Sequence, residues 1–222
     1  LNFFDYFHKK KIINFIKKKN IILDYIVDVG AHKGETLGLI FKYFKPKKIY
    51  SFEASPKNFK KLKEFVNRLD EQTKKKIKIE NVALGKNKRT EIFNQTYESS
   101  SSTFNTININ SEYFSKKKFF LGLKKNSEYI KKMEIKIITL DNYFMQNKLQ
   151  KIDLLKIDTE GFEFEVLIGV KNNIDKVNLI LFEHHYDDMI KKNYKFRDIH
   201  DFLTQNDFKL IFKAKMPFRK SF

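Results

Sequence analysis

The chain has 222 residues, no cysteine, and 45 Lys and Arg against 27 Asp and Glu, a net charge of +18. That length allows one sizeable core and is too short for two ordinary domains. The missing thiol excludes disulfides, a thiolate zinc site and a cysteine nucleophile, and it points to a reducing cytoplasm.

Residues 2 to 19 read as a basic helix with Phe4, Phe7, Ile12, Phe15 and Ile16 near one face. Such a helix is expected to dock on the domain, with a membrane-surface helix as the alternative. The chain opens on Leu1 rather than Met, so its true N-terminus is expected further upstream. Tyr25 to Val29 is an apolar run and reads as the first strand, followed by a helix over about 34 to 44. A second strand spans about 48 to 52. Ser55 and Pro56 then supply an N-cap and a first-turn proline for a helix to about Leu69. Ile77 to Val82 alternates as a third strand.

From about Asn94 to Lys132 the sequence turns polar and rich in Ser, Asn and Lys, including Ser99 to Ser102. The spacing predicts a long loop or insertion there rather than a domain. Glu134 to Thr139 reads as a strand, with a short helix near Asn142 and a buried strand at Ile152 to Ile157. A helix over 162 to 171, a buried strand at Asn178 to Phe182, a helix over 197 to 205 and a last strand at Phe208 to Phe212 complete the order. Alternating strands and helices predict the α/β class, with a Rossmann-like, mostly parallel seven-stranded sheet and helices on both faces. The whole of 1 to 222 is expected to form one domain. No apolar run reaches the roughly 18 residues that would suggest a membrane span.

The most informative stretch is Val27-Asp28-Val29-Gly30-Ala31-His32-Lys33-Gly34, with Glu53 at the end of the second strand. A strand, a glycine turn, a helix and a second strand ending in a carboxylate is the arrangement that holds a nucleoside. Glycines let the backbone approach the ligand, and the acidic side chain accepts both ribose hydroxyls. Two of the chain's seven glycines bracket this turn. The second concentration of chemistry is Lys156-Ile157-Asp158-Thr159-Glu160-Gly161-Phe162-Glu163, and the following strand ends in Glu183-His184-His185. Ligands of open parallel sheets sit outside the carboxyl ends of the strands, where Asp28, Glu53, Asp158 and Glu183 are all expected. Converging carboxylates repel unless a cation or a polar ligand compensates.

Taken together, these segments resemble the FkbM family of S-adenosylmethionine-dependent methyltransferases. The resemblance rests on Asp28 to Gly34, Phe52-Glu53-Ala54, Asn81-Val82-Ala83-Leu84-Gly85, Thr139-Leu140-Asp141 and Leu155 to Glu163, in the family's order. It implies a class I methyltransferase fold that holds S-adenosylmethionine at Asp28, Gly30, Ala31, His32 and Gly34. Glu53 and Ala54 would take the adenosine ribose, and Val82 and Ala83 would flank it. Family members are typically O-methyltransferases of sugars or polyketide-like products. His32 stands where class I enzymes often carry a middle glycine, and the C-terminal segment with Met216-Pro217-Phe218 is short for the last antiparallel strand.

An alcohol acceptor needs a general base or a metal that lowers its pKa. Asp158, Glu160, Glu183 and His184 are the candidate catalytic residues, and Asp158 with Glu183 could hold Mg²⁺. The alternatives are structural. Glu163 can be a helix-start carboxylate, Asp158 an N-cap, and His184 and His185 surface histidines. Lys156 shares a strand face with Asp158 and can serve only to neutralise it.

The expected activity is O-methylation of a glycan or small-molecule acceptor. The charge favours a rival, an RNA ribose or base methyltransferase. Its lysine runs are dispersed, as a low-GC genome would give without any nucleic-acid function. A cofactor-binding module without catalysis, or a nicotinamide enzyme, is compatible with the glycine turn alone.

Overall fold

The computed structural model describes residues 2–184 and 188–213, with side chains from Lys10 onward. The side chains of Phe4 and Phe7, together with His185 and Met216-Pro217-Phe218, lie outside the described residues. Helix α1 (Asn2–Lys18) leads into β1 (Tyr25–Val29). Next come α2 (Glu35–Tyr43), β2 (Lys48–Phe52), α3 (Pro56–Asn67), the single turn α4 (Glu71–Lys74), β3 (Ile77–Glu80) and β4 (Ala83–Leu84). The middle of the chain holds β5 (Arg89–Thr96), β6 (Thr106–Ile107), α5 (Glu112–Phe120), α6 (Asn126–Tyr129) and β7 (Ile130–Ile138). It closes with α7 (Leu140–Asn147), β8 (Leu154–Ile157), α8 (Glu163–Ile168), β9 (Ile180–Phe182), β10 (Ile190–Lys191) and α9 (Phe196–Gln205).

Five parallel strands form the central sheet in the order β3-β2-β1-β8-β9. Side chains alternate across a strand, so neighbouring residues of β1 face opposite layers. Ile26 joins Leu37, Ile40, Ile49 and Leu62 beneath α2 and α3, with Ile16 of α1 docked on the same layer. Val27 and Val29 face the other layer, with Leu155, Ile157, Val166, Leu167 and Ile199. Full burial of one such aliphatic side chain contributes about 1.5–3 kcal/mol, so these two layers hold the sheet. Ser55 caps α3, its Oγ accepting from Asn58 N at 3.2 Å, with Pro56 in the first turn as the sequence implied.

Two of the seven expected strands are absent from the central sheet. The expected strand at Glu134 to Thr139 is part of β7, which pairs with β4 and β5 in a separate three-stranded sheet. The chain leaves the central sheet at Asn81, whose amide donates to the Glu53 and Ala54 carbonyls at 2.8 and 3.3 Å. Phe208 to Phe212 forms no strand. Phe208 packs against the main core, Phe212 meets Phe15 of α1 at 4.8 Å between ring centroids, and Leu210 and Ile211 stay exposed. The polar stretch from Asn94 to Lys132 is not a bare loop, since it carries β6, α5 and α6 around their own core of Ile107, Phe114 and Tyr129. Among the described residues no helix is long and apolar enough to cross a membrane.

Candidate active site at the carboxyl edge of the sheet

Backbone hydrogen bonds fix the strand exits in one row. Gly30 N and Ala31 N donate to Phe52 O at 2.9 and 3.0 Å, and Glu53 N donates to Glu80 O at 3.1 Å. Asp158 N donates to Val29 O at 3.0 Å, and Glu183 N to Ile157 O at 3.2 Å. Glu53, Gly30, Asp158 and Glu183 therefore line up along the edge where an open α/β sheet binds its ligands. Asp28 departs from the expectation. It lies inside β1, opposite Lys156 in register, and is fully buried.

Lys156 explains how that burial is tolerated. Its Nζ donates to Gly30 O at 3.0 Å and sits 3.1 Å from Asp28 Oδ1 and 3.4 Å from Asp158 Oδ2. Burial works to lower the Lys156 pKa, but the two aspartates outweigh it and raise the value. Burial also raises the Asp28 carboxyl, with Lys156 opposing. Lys156 thus neutralises a buried acid beneath the rim.

The turn after β1 is closed on itself. Beyond Gly30 and Ala31, His32 N donates to Glu53 Oε2 at 2.8 Å, Lys33 N to Glu35 Oε2 at 3.0 Å and Gly34 N to Ala31 O at 2.9 Å. Every backbone N–H from Gly30 to Gly34 is used. Both glycines are also required by neighbouring protein. A Cβ on Gly30, at φ +78°, would fall 1.8 Å from the Asp158 carbonyl oxygen, and one on Gly34, at φ +96°, 2.7 Å from the Phe65 ring.

Glu53 is buried, and its Oε1 accepts from Ser55 N at 2.9 Å. Burial raises its carboxyl pKa against the pull of these backbone bonds. The Asn58 side chain adds a third bond, and a carboxylate has about four lone-pair sites, so Glu53 is oriented and still able to accept. Within the Asn81-Val82-Ala83 motif, Val82 packs on the core and Ala83 is buried in β4 opposite Ile137. Asn81 is the member that touches the rim, through its bonds to Glu53 and Ala54. His32 adopts φ 51° and places Nδ1 3.0 Å from Glu35 Oε1 and Nε2 3.0 Å from Ser99 Oγ.

The acidic loop after β8 is held from two sides. Glu163 Oε1 accepts from Thr159 N and Oγ1 at 3.2 Å each and from Gly161 N at 3.0 Å. The Tyr194 hydroxyl donates to its other oxygen. Glu163 is fully buried, so the sequence motif's last carboxylate anchors the loop besides opening α8. On the opposite side Thr103 Oγ1 donates to Glu160 O at 2.7 Å, and Asn105 Nδ2 to Gly161 O at 2.6 Å. These bonds hold Glu160 at φ 52°, a left-handed conformation that costs roughly 1–3 kcal/mol in a residue with a Cβ. Burial first, then the nearby Asp158 and Glu183 carboxylates, push the Glu160 pKa well above its ordinary value.

His184 packs its ring near Tyr194 and Phe196, at 6.0 and 5.7 Å between centroids. Among the described residues no group of three or more His, Asp or Glu is placed to hold a metal ion, so the Mg²⁺ expectation at Asp158 and Glu183 gains no support. Sequence reasoning missed Ser99, Thr103, Asn105 and Tyr194. Their partners lie 31 to 67 residues away in the chain, and no local spacing marks them.

The family model of the methyltransferase FkbM domain matches residues 28–210. Two solved structures are similar. The methyltransferase FkbM of Methylobacillus flagellatus KT is 18% identical with a TM-score of 0.45, over 69% of this chain and 30% of that one. The methyltransferase domain of bacterial CtHen1-CN is 23% identical with a TM-score of 0.27, over 32% of this chain and 37% of that one. The chain therefore spans under a third of the length of the first relative. No curated protein matches it. The family match takes in both strand-end motifs and runs through most of the sequence; the chain belongs to the FkbM methyltransferase family, whose chemistry is methyl transfer.

Proposed function

We propose that the chain methylates a hydroxyl of a sugar, glycan or small metabolite, with S-adenosylmethionine as donor. The observation that carries this reading is the trio Asp158, Glu160 and Glu183 at neighbouring strand exits, on the same sheet edge as the oriented Glu53 two strands away. S-adenosylmethionine supplies an electrophilic methyl group on a sulfonium. Glu53 would hold the ribose hydroxyls through the acceptor capacity its three protein bonds leave. The carboxylate-rich rim favours a ligand that brings positive charge. The turn leaves no backbone donor for a pyrophosphate, which argues against the dinucleotide reading.

Glu160 is the proposed base, because a carboxylate with a raised pKa accepts a proton more readily than an ordinary one. Asp158 would orient the acceptor hydroxyl, and Glu183 would share the proton's charge. His184, packed on Tyr194 and Phe196, is proposed to position Glu183. The absence of cysteine supports a cytoplasmic setting for this chemistry.

Calorimetry with S-adenosylhomocysteine tests the donor site, where Glu53→Ala should weaken binding by roughly 1–3 kcal/mol. Labelled cofactor should mark glycan or small-molecule extracts. Asp158→Asn and Glu160→Gln should each lower turnover by roughly 10²-fold or more while leaving cofactor binding intact. Ribonuclease-sensitive labelling of RNA alone would move the assignment to the nucleic-acid reading. Unchanged turnover in both variants would remove Asp158 and Glu160 from the chemistry, and cofactor binding without any turnover would leave a cofactor-binding module.

A further inference from the structure

Phe119 and Phe120 end α5 at 81% and 83% exposure. A single exposed apolar residue is ordinary, but two adjacent phenylalanines projecting together are not. The turn that carries them is firmly seated. Leu121 and Leu123, on either side of Gly122, pack against the small core of Ile107, Phe114 and Tyr129. Gly122 itself has φ +68° and no atom within 4 Å of where a Cβ would stand. The inward leucines and outward phenylalanines make a built protrusion.

Lysines ring the pair. Lys116, Lys117, Lys118, Lys124 and Lys125 fall between Tyr113 and Ser127, a span with no Asp or Glu. Lys124 and Lys125 are exposed, and the nearest acid, Glu128, is occupied by their own backbone N–H groups at 3.0 and 3.1 Å. Lys117 turns inward, to Glu98 at 3.1 Å, Lys116 pairs with Glu112 on its own helix at 2.5 Å, and Lys118 donates to Asn126 at 2.9 Å, which leaves Lys124 and Lys125 as the outermost charges beside the rings.

We propose that this tip docks the protein on an anionic membrane surface. Phe119 and Phe120 enter the boundary between headgroups and acyl chains, and the lysines meet the lipid phosphates as their stems lie along the interface. The two rings stand edge to face, at 71° and 6.0 Å between centroids, so they offer no shared stacking platform for bases. A second copy would bring Lys124 and Lys125 against their own kind. A negatively charged bilayer satisfies both the apolar wedge and the charge around it. The docking is independent of which acceptor the site takes.

Co-sedimentation with vesicles of phosphatidylcholine alone, or with one third phosphatidylglycerol, tests this on the full chain. Wild type should partition onto the anionic vesicles, less so at high salt, and not onto the neutral ones. The double variant Phe119→Ser/Phe120→Ser should lose roughly tenfold or more of that partitioning with an unchanged melting temperature, because both rings are solvated. Lys124→Glu/Lys125→Glu provides an independent loss should the first variant aggregate. The proposal is overturned if wild type ignores anionic vesicles or if both variants bind them equally well. It is also overturned if the phenylalanine variant instead splits a dimer in light scattering or abolishes binding to single-stranded RNA.

Discussion

Ser99 Oγ lies 3.0 Å from His32 Nε2, and that bond joins the turn after β1 to the middle of the chain. The same middle segment reaches the acidic loop through Thr103 and Asn105. One polar stretch therefore braces both loops that border the rim.

His32 also sets a pH dependence through Glu35. Burial raises the Glu35 carboxyl, but the imidazole and backbone N–H groups outweigh it and hold the pKa at about 2, against an ordinary 4.5. A carboxylate depressed on folding contributes stability that is complete above pH 4.5 and lost as pH falls through about 2. Glu35 is half exposed, so solvent screening keeps that contribution small. Urea unfolding between roughly pH 6 and pH 2 should show wild type losing its margin over Glu35→Gln as the pH drops. Parallel pH slopes for the two proteins would remove this pair from the stability of the turn.

Lys156 should be indispensable to the fold for as long as Asp28 remains. Replacing it by Met leaves a fully buried carboxylate without its cation, a defect worth about 3–5 kcal/mol. The double variant Lys156→Met/Asp28→Asn removes both charges and should recover much of the loss, because two neutral groups carry no such desolvation penalty. Denaturation curves for the two single variants and the double form a cycle that isolates the pair. An additive cycle would mean that Lys156 acts through Asp158 or Gly30 O instead.

The strands that carry the site were legible because their apolar runs are local. Tyr25 to Val29, Lys48 to Phe52 and Leu154 to Ile157 combine that signal with turn residues at their exits. Partner choice is not local, and it is there that the sheet differs from expectation. Glu134 to Thr139 alternates as any strand does, yet nothing in its pattern says that it pairs with β5 rather than the central sheet. The β5 end was hidden for another reason. Gln95 and Thr96 are buried through hydrogen bonds to Ser102 and not through apolar side chains, so periodicity does not report them. At the site, the motif residues announced themselves by type and spacing, whereas Tyr194 acquires meaning only when folding brings it to Glu163.

That contact supports an expectation for the acidic loop. Glu163 collects Thr159 N and Oγ1, Gly161 N and the Tyr194 hydroxyl, all donors. Glu163→Gln turns an amide NH₂ toward one set of donors and removes the charge that strengthens the rest, at a cost of about 1.5–3 kcal/mol. Tyr194→Phe removes one donor and should cost less, about 1 kcal/mol. Both can be read from urea unfolding. Faster amide exchange at Thr159 and Gly161 in the glutamine variant would mark the loop as the part that loosens, and unchanged exchange there would place Glu163's role in α8 alone.

Gly30 gives the sharpest test of how the two loops meet. Gly30 and Gly122 share a left-handed backbone, at φ +78° and φ +68°. An alanine at either place bears the same conformational strain, about 1–2 kcal/mol. At Gly122 that strain is the whole expected effect, since nothing stands within 4 Å of the new carbon. At Gly30 the carbon would lie 1.8 Å from the Asp158 carbonyl oxygen, a backbone atom that cannot swing aside as a side chain would. Gly30→Ala must push the exit of β8 away from β1, stretching the Asp158 N to Val29 O bond of 3.0 Å. Its destabilisation should exceed that of Gly122→Ala by at least about 2 kcal/mol, and methyl transfer should fall with it as Asp158 leaves the rim. Equal stability in the two variants would show that β1 and β8 part without strain, and that the glycine is held by something other than this approach.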